Sequence, residues 1–287
     1  METFVLLPFF LLSRVPSDAD TWRHGPEYTF MANTNTTMLQ GRSESYQMYN
    51  TLKCRPQNSD TLRCQFGAAN LTLCKEEPEH FYDEHSWFNE SFGIKFDRRG
   101  IQSLVIPRDT DSLLFDIVRA FISQMNFGVE LLHKPDGAFN AKESSYLGQC
   151  DTLVNISHEA QGNEGSGEED YEIVTVAGLQ KKRGETLVIE KTKNLENCVD
   201  IRPYVMAADD RDIKMQMVSS RSRTEISDMG FNSYTENMVH FIRRGISFSF
   251  CEKINLNLVS VLPAKEALQP LSVTTTNVSP YVQSKKD

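Results

Sequence analysis

One short segment with helical spacing lies in a sequence that is otherwise patterned for β-strands. Between Asp111 and Met125, apolar residues recur every three or four positions, which is the spacing of one face of an α-helix. These core-helix residues are Leu114, Ile117, Val118, Phe121, Ile122 and Met125. Asp111 is placed to cap the first turn, and Leu113 and Phe115 widen the apolar surface. We therefore expect a helix that is buried on more than one side.

Alternating apolar and polar residues indicate strands on both sides of this helix. The clearest alternation occurs at 246–250 and 254–258, which we interpret as a hairpin, and a second hairpin is predicted at 92–106 around Gly100. A lone helix among about a dozen strands does not fit alternating β-α-β units. The pattern predicts a mainly β fold, an antiparallel β-barrel closed around one central amphipathic α-helix.

The bulk composition excludes several classes of protein. With 39% hydrophobic and 24% charged residues, the 287-residue chain is typical of folded soluble proteins. Its net charge of −9 argues against a nucleic-acid partner, since nucleic-acid-binding proteins usually present a basic face to the phosphates. No apolar run approaches the roughly 20 residues of a membrane-spanning helix, so we expect no transmembrane segment.

Three features together favour secretion. The apolar run at residues 4–12 has the length of the apolar region of a signal peptide, which we predict at residues 1–19; the alternative is a buried first strand. Six cysteines without close C-x-x-C pairs and five Asn-x-Ser/Thr sequons favour an oxidising compartment. The glycosylation candidates are Asn35, Asn70, Asn89, Asn155 and Asn277. We predict an extracellular, disulfide-bonded glycoprotein.

Two stretches are not expected to join the core. Residues 161–169 are rich in Gly, Glu and Ser and predict a mobile loop. Residues 263–287 contain three prolines and a polar end, which predict a flexible C-terminal tail. The folded domain is therefore predicted to span residues 20–262.

No pattern in the sequence indicates catalysis. A nucleophile elbow, a phosphate-binding loop and a dinucleotide fingerprint are all absent from it. The densest group of metal-ligating residue types is His80, Asp83 and His85, but the spacing of the two histidines does not set them side by side on a helix or a strand. A solvated acidic loop is the preferred interpretation. We expect no enzymatic activity, no catalytic residue, no metal and no cofactor.

Five stretches of the chain, in this order, resemble the N-terminal module of insect vitellogenins. Residues 22–30 contain a Trp, a Gly and then Glu-Tyr, as the first barrel strand of that family does, and residues 101–125 are similar to its strand and central helix. Residues 148–153 and 191–198 resemble its Gly-x-Cys and Lys-x-Lys-Asn-x-x-Asn-Cys elements. Residues 219–224 are similar to its Ser/Arg-rich strand.

The resemblance implies a disulfide and a function. In vitellogenins the cysteines of the two elements pair, so Cys150 is expected to bond to Cys198, a loop closure worth about 4 kcal/mol in the chain-entropy model. The chain is similar to short vitellogenin-like proteins that keep only the N-terminal barrel module of the large lipid-transfer family. This implies a secreted binding protein that recognises a cell-surface receptor or another protein. The alternative is a lipid transporter or nutrient storage carrier that binds lipid directly.

The remaining cysteines lie outside the pattern that carries the resemblance. They are Cys54, Cys64, Cys74 and Cys251, and they allow three pairings. Period-two spacing puts Cys64 on the apolar face of its strand but Cys74 on the face opposite its apolar neighbours. A Cys64–Cys74 hairpin bridge is therefore disfavoured, and the other pairings stay open.

Overall fold

The structure is a computed structural model, and nearly all of its described residues lie in strands. It describes residues 3–6, 11–15, 21–39, 45–67, 70–74, 91–97, 99–131, 134–160, 171–175, 179, 181–199, 213–243, 245–269, 271 and 274–281. The strands are β1 Thr3–Leu6, β2 Leu11–Val15, β3 Pro26–Met38, β4 Ser45–Pro56, β5 Thr61–Phe66, β6 Asn70–Cys74, β7 Phe92–Asp97, β8 Gly100–Pro107, β9 Gly137–Ser145, β10 Gly148–Ala160, β11 Glu172–Thr175, β12 Glu185–Val199, β13 Ile213–Ile226, β14 Phe231–Arg243, β15 Ile246–Pro263 and β16 Thr275–Val278. The helical part consists of α1, Ser112–Ile122, and a 3-10 helix at Ser123–Met125.

Thirteen of these strands form one antiparallel sheet. Its order is β16-β8-β7-β5-β4-β3-β15-β14-β13-β12-β10-β9, and β6 pairs with β4 beside this path. A second sheet contains β1, β2 and β11. The mainly β, antiparallel fold with one short helix is therefore confirmed.

The side chains that point inward along the strands form the main core. In β3, Tyr28, Phe30 and Ala32 are fully buried, while the residues between them are partly or largely exposed. The register pairs Phe30 with Leu52 of β4 and with Leu258 of β15, so inward side chains of neighbouring strands lie in rows. Burial of each large apolar side chain stabilises the fold by about 1.5–3 kcal/mol.

The predicted helix packs its apolar face against this core. The backbone N–H of Leu114 donates to Asp111 Oδ1 (3.3 Å), so Asp111 caps the first turn. Val118, Phe121, Ile122 and Met125 are buried among the core residues, and Leu114 and Ile117 are partly buried against them. The 3-10 helix that follows lies against β8, β14 and β15.

Among the described strands the hydrogen-bonded sheet is open, so the expected closure into a barrel is not confirmed. Its path begins at β16, beside β8, and ends at β9; no pairing between these two ends occurs among the described strands. The chain leaving the 3-10 helix links the two sides instead. Asn126 Oδ1 accepts from the N–H of Ile101 in β8 (3.1 Å), and Asn126 Nδ2 donates to the carbonyl of Ser144 in β9 (3.1 Å). Residues 126–128, which we call the joining segment, thus connect β8 and β9.

Glycine is required within the joining segment by both conformation and space. Gly128 has a φ of +68°, and a Cβ there would lie 2.4 Å from the carbonyl oxygen of Ser144. The backbone N–H of Ser144 donates to the carbonyl of Gly128 (3.2 Å), which holds the segment against β9 at this close approach.

The described C-terminal residues 274–281 are part of the fold, in contrast to the flexible tail expected from residue 263. Strand β16 pairs with β8, and Tyr281 OH donates to the carbonyl of Ile101. Arg119 of α1 is 2% exposed, and its Nε (3.0 Å) and Nη2 (2.8 Å) both donate to the carbonyl of Pro280. A buried guanidinium needs such acceptors. The sequence pattern did not reveal them because a backbone carbonyl leaves no signature in it.

The hairpin predicted at 246–258 is wrong, whereas the one at 92–106 is confirmed. Strands β7 and β8 pair as expected around Gly100. Residues 246–258, however, belong to the single strand β15. Glu252 points inward in step with Phe250 and Ile254 and accepts from Asn237 Nδ2 (2.9 Å). The prediction was wrong because Glu252, a polar residue within an apolar pattern, was interpreted as part of a hairpin turn, whereas it is buried in the same inward row.

Part of the predicted signal peptide forms strands, and several residues named from the sequence lie outside the described part of the chain. Strands β1 and β2 occupy part of the predicted signal peptide and pair with one another, and β2 pairs with β11; cleavage after residue 19 stays a prediction. The predicted loop at 161–169, the group His80, Asp83 and His85, and Asn89 lie outside the described residues. Among the described residues, none of the helical segments has the length and apolarity that crossing a bilayer demands.

Replacing Gly128 by alanine is expected to destabilise the protein more than the same change at Gly184. Both glycines have a positive φ, +68° and +79°, but a Cβ at Gly184 meets no atom within 4 Å. Gly184→Ala should therefore cost only the backbone strain of about 1–2 kcal/mol. Gly128→Ala adds the collision with the Ser144 carbonyl and should cost roughly 3–4 kcal/mol. Urea unfolding of both variants measures the difference, and equal losses would show that residues 126–128 do not hold the two sides of the sheet together.

Candidate functional site

The inner face of the large sheet changes from apolar to polar along its strands. Where β9, β10 and β12–β15 pass the 3-10 helix, buried side chains that face the interior carry charges, hydroxyls and amides. We call this set the inner polar band; it contains Glu143, Ser145, Thr152, Lys191, Lys193, Ser220, Ser222, Thr224, Ser233, Thr235, Asn237 and Glu252. A band of this kind requires internal partners, because a buried polar group without one costs stability.

Two lysines of β12 share one carboxylate of β9 at the centre of the band. Lys191 Nζ donates to Glu143 Oε1 (2.6 Å), and Lys193 Nζ donates to Glu143 Oε2. All three side chains are at most 8% exposed. Lys191 also donates to the carbonyls of Asn126 (3.2 Å) and Phe127 (3.1 Å), so the three N–H donors of its ammonium group are used.

The electrostatics of this ion triad favour the charged form of the carboxylate. Burial by itself raises the pKa of Glu143, but the positive charges and hydrogen bonds of Lys191 and Lys193 outweigh it and lower the pKa to about 2. Burial lowers the pKa of Lys193, and the attraction of Glu143 opposes that change. Thr152 Oγ1 adds a further hydrogen bond to Glu143 Oε2 (3.1 Å). Breaking such a pair by removing one partner typically costs about 3–5 kcal/mol.

The motif at residues 191–198 owes its pattern to these contacts. Lysines two residues apart on a strand point to the same face, and here both reach Glu143. After them, Asn194 Oδ1 accepts from the N–H of Glu196 (3.2 Å), and Asn197 Nδ2 donates to Asp151 Oδ2 (3.1 Å). The motif therefore combines an inward ion triad with a turn-like end that is tied to β10.

Two disulfides are present among the described cysteines. Cys150 is joined to Cys198 across a sequence separation of 48, next to a bulge at Cys150/Asp151. Cys54 is joined to Cys64 across a separation of 10, where β4 and β5 place the two residues directly opposite each other. This bond belongs to one of the three pairings left open by the sequence, but the second bond of that pairing, Cys74–Cys251, is not formed. Cys251 carries a free thiol, and burial raises its pKa.

The Ser/Arg-rich strand divides its residue types between the two faces of the sheet. In β13, Ser220, Ser222 and Thr224 line the interior. Arg223 points outward and donates to Glu225 (2.7 Å), Glu190 (3.0 Å) and Glu159 (2.9 Å). These partners are between one third and about half exposed, so each outer pair contributes little stability.

The space left inside the band is small. A cavity of about 30 Å³ lies between the 3-10 helix and the inner face, and its walls include Lys193, Ser220 and Tyr146. A cavity needs roughly 10–15 Å³ of this measure for each water molecule, so about two waters fit. On the outer face of β9, β10 and β12, a broad depression of about 580 Å³ is lined by Lys142, Asp151 and Leu153, among others.

The candidate glycosylation sites that the structure describes lie away from the core. Asn35 of β3 and Asn155 of β10 are half-buried, and Asn277 of β16 is exposed. Asn70 starts β6. Groups of three or more metal-ligating side chains do not occur in the described part of the chain.

Sequence reasoning missed Glu143 and the closing role of Asn126. A usable signal was present for the first, because Lys191 and Lys193 share one strand face with Ile189 and predict a buried carboxylate opposite them. Asn126 offered no comparable signal. Its role depends on which strands end beside it, and local pattern does not contain that information.

The described fold is that of a lipovitellin-type protein. A solved structure of lipovitellin, described as showing lipid–protein interactions in that protein, aligns with 92% of this chain and 28% of its own chain, with a TM-score of 0.61 and 13% sequence identity. At that identity the likeness shows the fold alone.

The sequence identifies the family. Residues 22–238 match the family described as the vitellogenin N-terminal domain, and the chain belongs to that family. Vitellogenin-1 of Solenopsis invicta is 22% identical over 223 residues, which cover 69% of this chain and 13% of that protein. The chain therefore spans a small part of the relatives that it matches, and the resemblance to vitellogenins is confirmed.

Glu143→Gln is expected to lower the free energy of unfolding by roughly 3–5 kcal/mol near neutral pH, because it leaves two buried lysines without a carboxylate. The folded pKa of Glu143 lies below its ordinary value of 4.5, so its contribution is complete above that pH and is lost as the pH falls toward about 2. The difference between the wild type and the variant should therefore shrink on acidification.

Denaturant unfolding between about pH 7 and pH 3 measures this difference. Glu196→Gln is the matched control, because Glu196 is exposed on β12, the strand of the two lysines, and should change stability by less than about 0.5 kcal/mol. A gap between the wild type and Glu143→Gln that stays constant with pH would contradict the role given to the ion triad.

Proposed function

We propose that this protein is a secreted, non-enzymatic binding protein that acts through recognition at the outer face of its sheet. The observation that carries the proposal is the small volume of the cavity that the described residues form inside the inner polar band. The cavity beside the 3-10 helix measures about 30 Å³, whereas sites for drug-sized ligands measure roughly 300–1,000 Å³. An acyl chain does not fit into a space for two waters. This favours binding of a partner at the protein surface.

The chemistry of the inner polar band also argues against lipid inside it. The walls carry an ion triad and several hydroxyls, and an acyl chain would have to displace water from them without replacing its hydrogen bonds. The lipid–protein interactions described for lipovitellin belong to a chain of which this protein matches 28%. Direct lipid transport or storage remains the alternative function.

The same contacts support the absence of an enzymatic role. A general base or acid must reach a substrate proton, but both oxygens of Glu143 are engaged by lysines and the side chain is 4% exposed. Its pKa of about 2 makes it a poor base near neutral pH. The triad is therefore suited to holding β9, β12 and the joining segment together.

The outer depression, on the outer face of β9, β10 and β12, has properties that suit a recognition site. Its floor contains Leu153, which is 47% exposed, with Lys142 and Asp151 among its walls. The Cys150–Cys198 disulfide and the Asn197–Asp151 hydrogen bond fix its rim. A preorganised concave surface loses little entropy on binding, which favours a protein partner such as a cell-surface receptor.

Secretion is tested by expressing the full chain in cultured insect cells. We expect the protein in the medium with its N-terminus at residue 20, because the apolar run at residues 4–12 directs export and is removed. Treatment with an N-glycosidase should lower its apparent mass, and peptide mapping should find the glycans among the five sequons. Retention inside the cells with an intact N-terminus would refute the secretion proposal and favour a first strand that is kept.

Surface recognition and lipid carriage are separated with that secreted protein. We expect no stoichiometric lipid on extraction followed by mass spectrometry. In binding assays to tissue membranes, Leu153→Arg should weaken binding by about tenfold or more, because it places a charge in a central apolar contact.

Leu262→Arg is the matched control for this experiment. Leu262 is 59% exposed on β15, outside the depression, and its substitution should leave membrane binding unchanged. Stoichiometric bound phospholipid would overturn the proposal in favour of lipid carriage. Equal binding by the wild type and Leu153→Arg would move the recognition surface elsewhere on the molecule.

A further inference from the structure

Lys193 carries hydrogen-bond donors that the ion triad does not use. An ammonium group has three N–H donors, and the described contacts of Lys193 Nζ consist of its bond to Glu143 Oε2. The side chain is 8% exposed, so bulk water does not surround the remaining donors. Lys193 lines the cavity of about 30 Å³, which places those donors beside that space.

Hydroxyl groups with free hydrogens converge on the same cavity. Lys191 pairs with Ser222 in the register of β12 and β13, and continuing that register places Lys193 opposite Ser220. Ser220 is 3% exposed, and its hydroxyl belongs to the lining of the cavity. Tyr146 OH accepts from Asn237 Nδ2 (3.1 Å), which leaves its own hydrogen to donate into the space that it lines.

The charges around the cavity leave an excess of positive charge. The triad contains two lysines and one glutamate, which sum to one positive charge. The other carboxylate of the band, Glu252, does not line the cavity; it accepts from Asn237 Nδ2, which also donates to Tyr146 OH. The pKa of Lys193 is lowered mainly by burial, which agrees with a positive charge that Glu143 only partly compensates.

We propose that this cavity binds one chloride-sized monovalent anion, held by Lys193 Nζ and by the hydroxyls of Ser220, Ser222 and Tyr146. The size of the site selects the ligand. About 30 Å³ admits roughly two water-sized particles, so chloride or bromide fits, whereas sulfate, phosphate and carboxylic acids do not. The anion cancels the excess charge of the triad and accepts from donors that otherwise lack acceptors. Lys193 lines both this cavity and the outer depression, whereas Ser220 and Tyr146 line the cavity alone, so variants of Ser220 and Tyr146 distinguish a failure of this site from a failure of the proposed function.

The test is a comparison of thermal unfolding as chloride replaces methanesulfonate, an anion too large for the cavity. The total ionic strength is held at about 0.15 M, which keeps general screening constant. A ligand bound to the folded state raises the midpoint, and we expect a rise of roughly 2–6 °C for the wild type. Ser220→Ala and Lys193→Gln should lose at least half of this rise, because each removes a donor to the anion.

Lys142→Gln is the control variant, because Lys142 is exposed on the outer face of β9 and should keep the full rise. General salt effects on unfolding act on all variants and cancel in the differences between them. If Lys193→Gln fails to fold, Ser220→Ala and Tyr146→Phe carry the test.

Two results would overturn the proposal. The absence of a chloride-dependent rise in the wild type would show that the cavity holds water alone, and a rise retained by the donor variants would place the ion elsewhere. With crystals grown in bromide, an anomalous peak beside Lys193 Nζ is the supporting result, and a peak absent from the cavity overturns it.

Discussion

The ammonium group of Lys191 connects the parts of the structure that strand pairing leaves separate. It lies on β12 and donates to Glu143 of β9 (2.6 Å) and to the carbonyls of Asn126 (3.2 Å) and Phe127 (3.1 Å). Asn126 in turn bonds to β8 and β9, which lie toward the two ends of the open sheet. One buried cation therefore fixes the segment that takes the place of a strand-to-strand closure. Because the group is desolvated, each of these acceptors is needed to offset the cost of burying its charge.

The inner polar band also divides the interior into two apolar regions. The main core surrounds α1 and contains most of the buried residues. Beyond the band, Val239 and Phe241 of β14 form a second cluster with Phe248 and Phe250 of β15. A single helix of 11 residues cannot fill the whole length of strands that reach 18 residues, so part of the inner face must find other partners. Hydrogen bonds and ion pairs cover the middle section, and aromatic packing covers the far end.

The sequence predicted the elements whose pattern is local, and it failed where partners are distant. The helix was found because its apolar residues repeat at helical spacing over four turns. Strand β15 was divided wrongly because Glu252 interrupts the apolar row, although Asn237, 15 residues away, satisfies it inside the protein. Arg119 shows the same difficulty, since its acceptor is the carbonyl of Pro280, which is 161 residues away. A charged residue is buried only where the tertiary structure supplies a partner for it. A prediction from the spacing of apolar residues alone therefore treats such a residue as exposed.

The residues that carry the family resemblance are largely those that build the interior. Lys191 and Lys193 hold Glu143, Cys198 bonds to Cys150, and Asn197 binds Asp151 at the end of the same motif. A match in these positions therefore specifies how the sheet is held around its helix. The same motifs also line part of the outer depression, since Asp151 and Leu153 belong to residues 148–153 and Asn194 belongs to residues 191–198, whereas Lys142 lies outside them. The region that matches the vitellogenin relative covers 13% of that protein. The family motifs therefore build both an inward ion triad and part of an outer surface, and the side chains of the depression outside the motifs, such as Lys142, are the ones in which this chain is free to differ from its relatives.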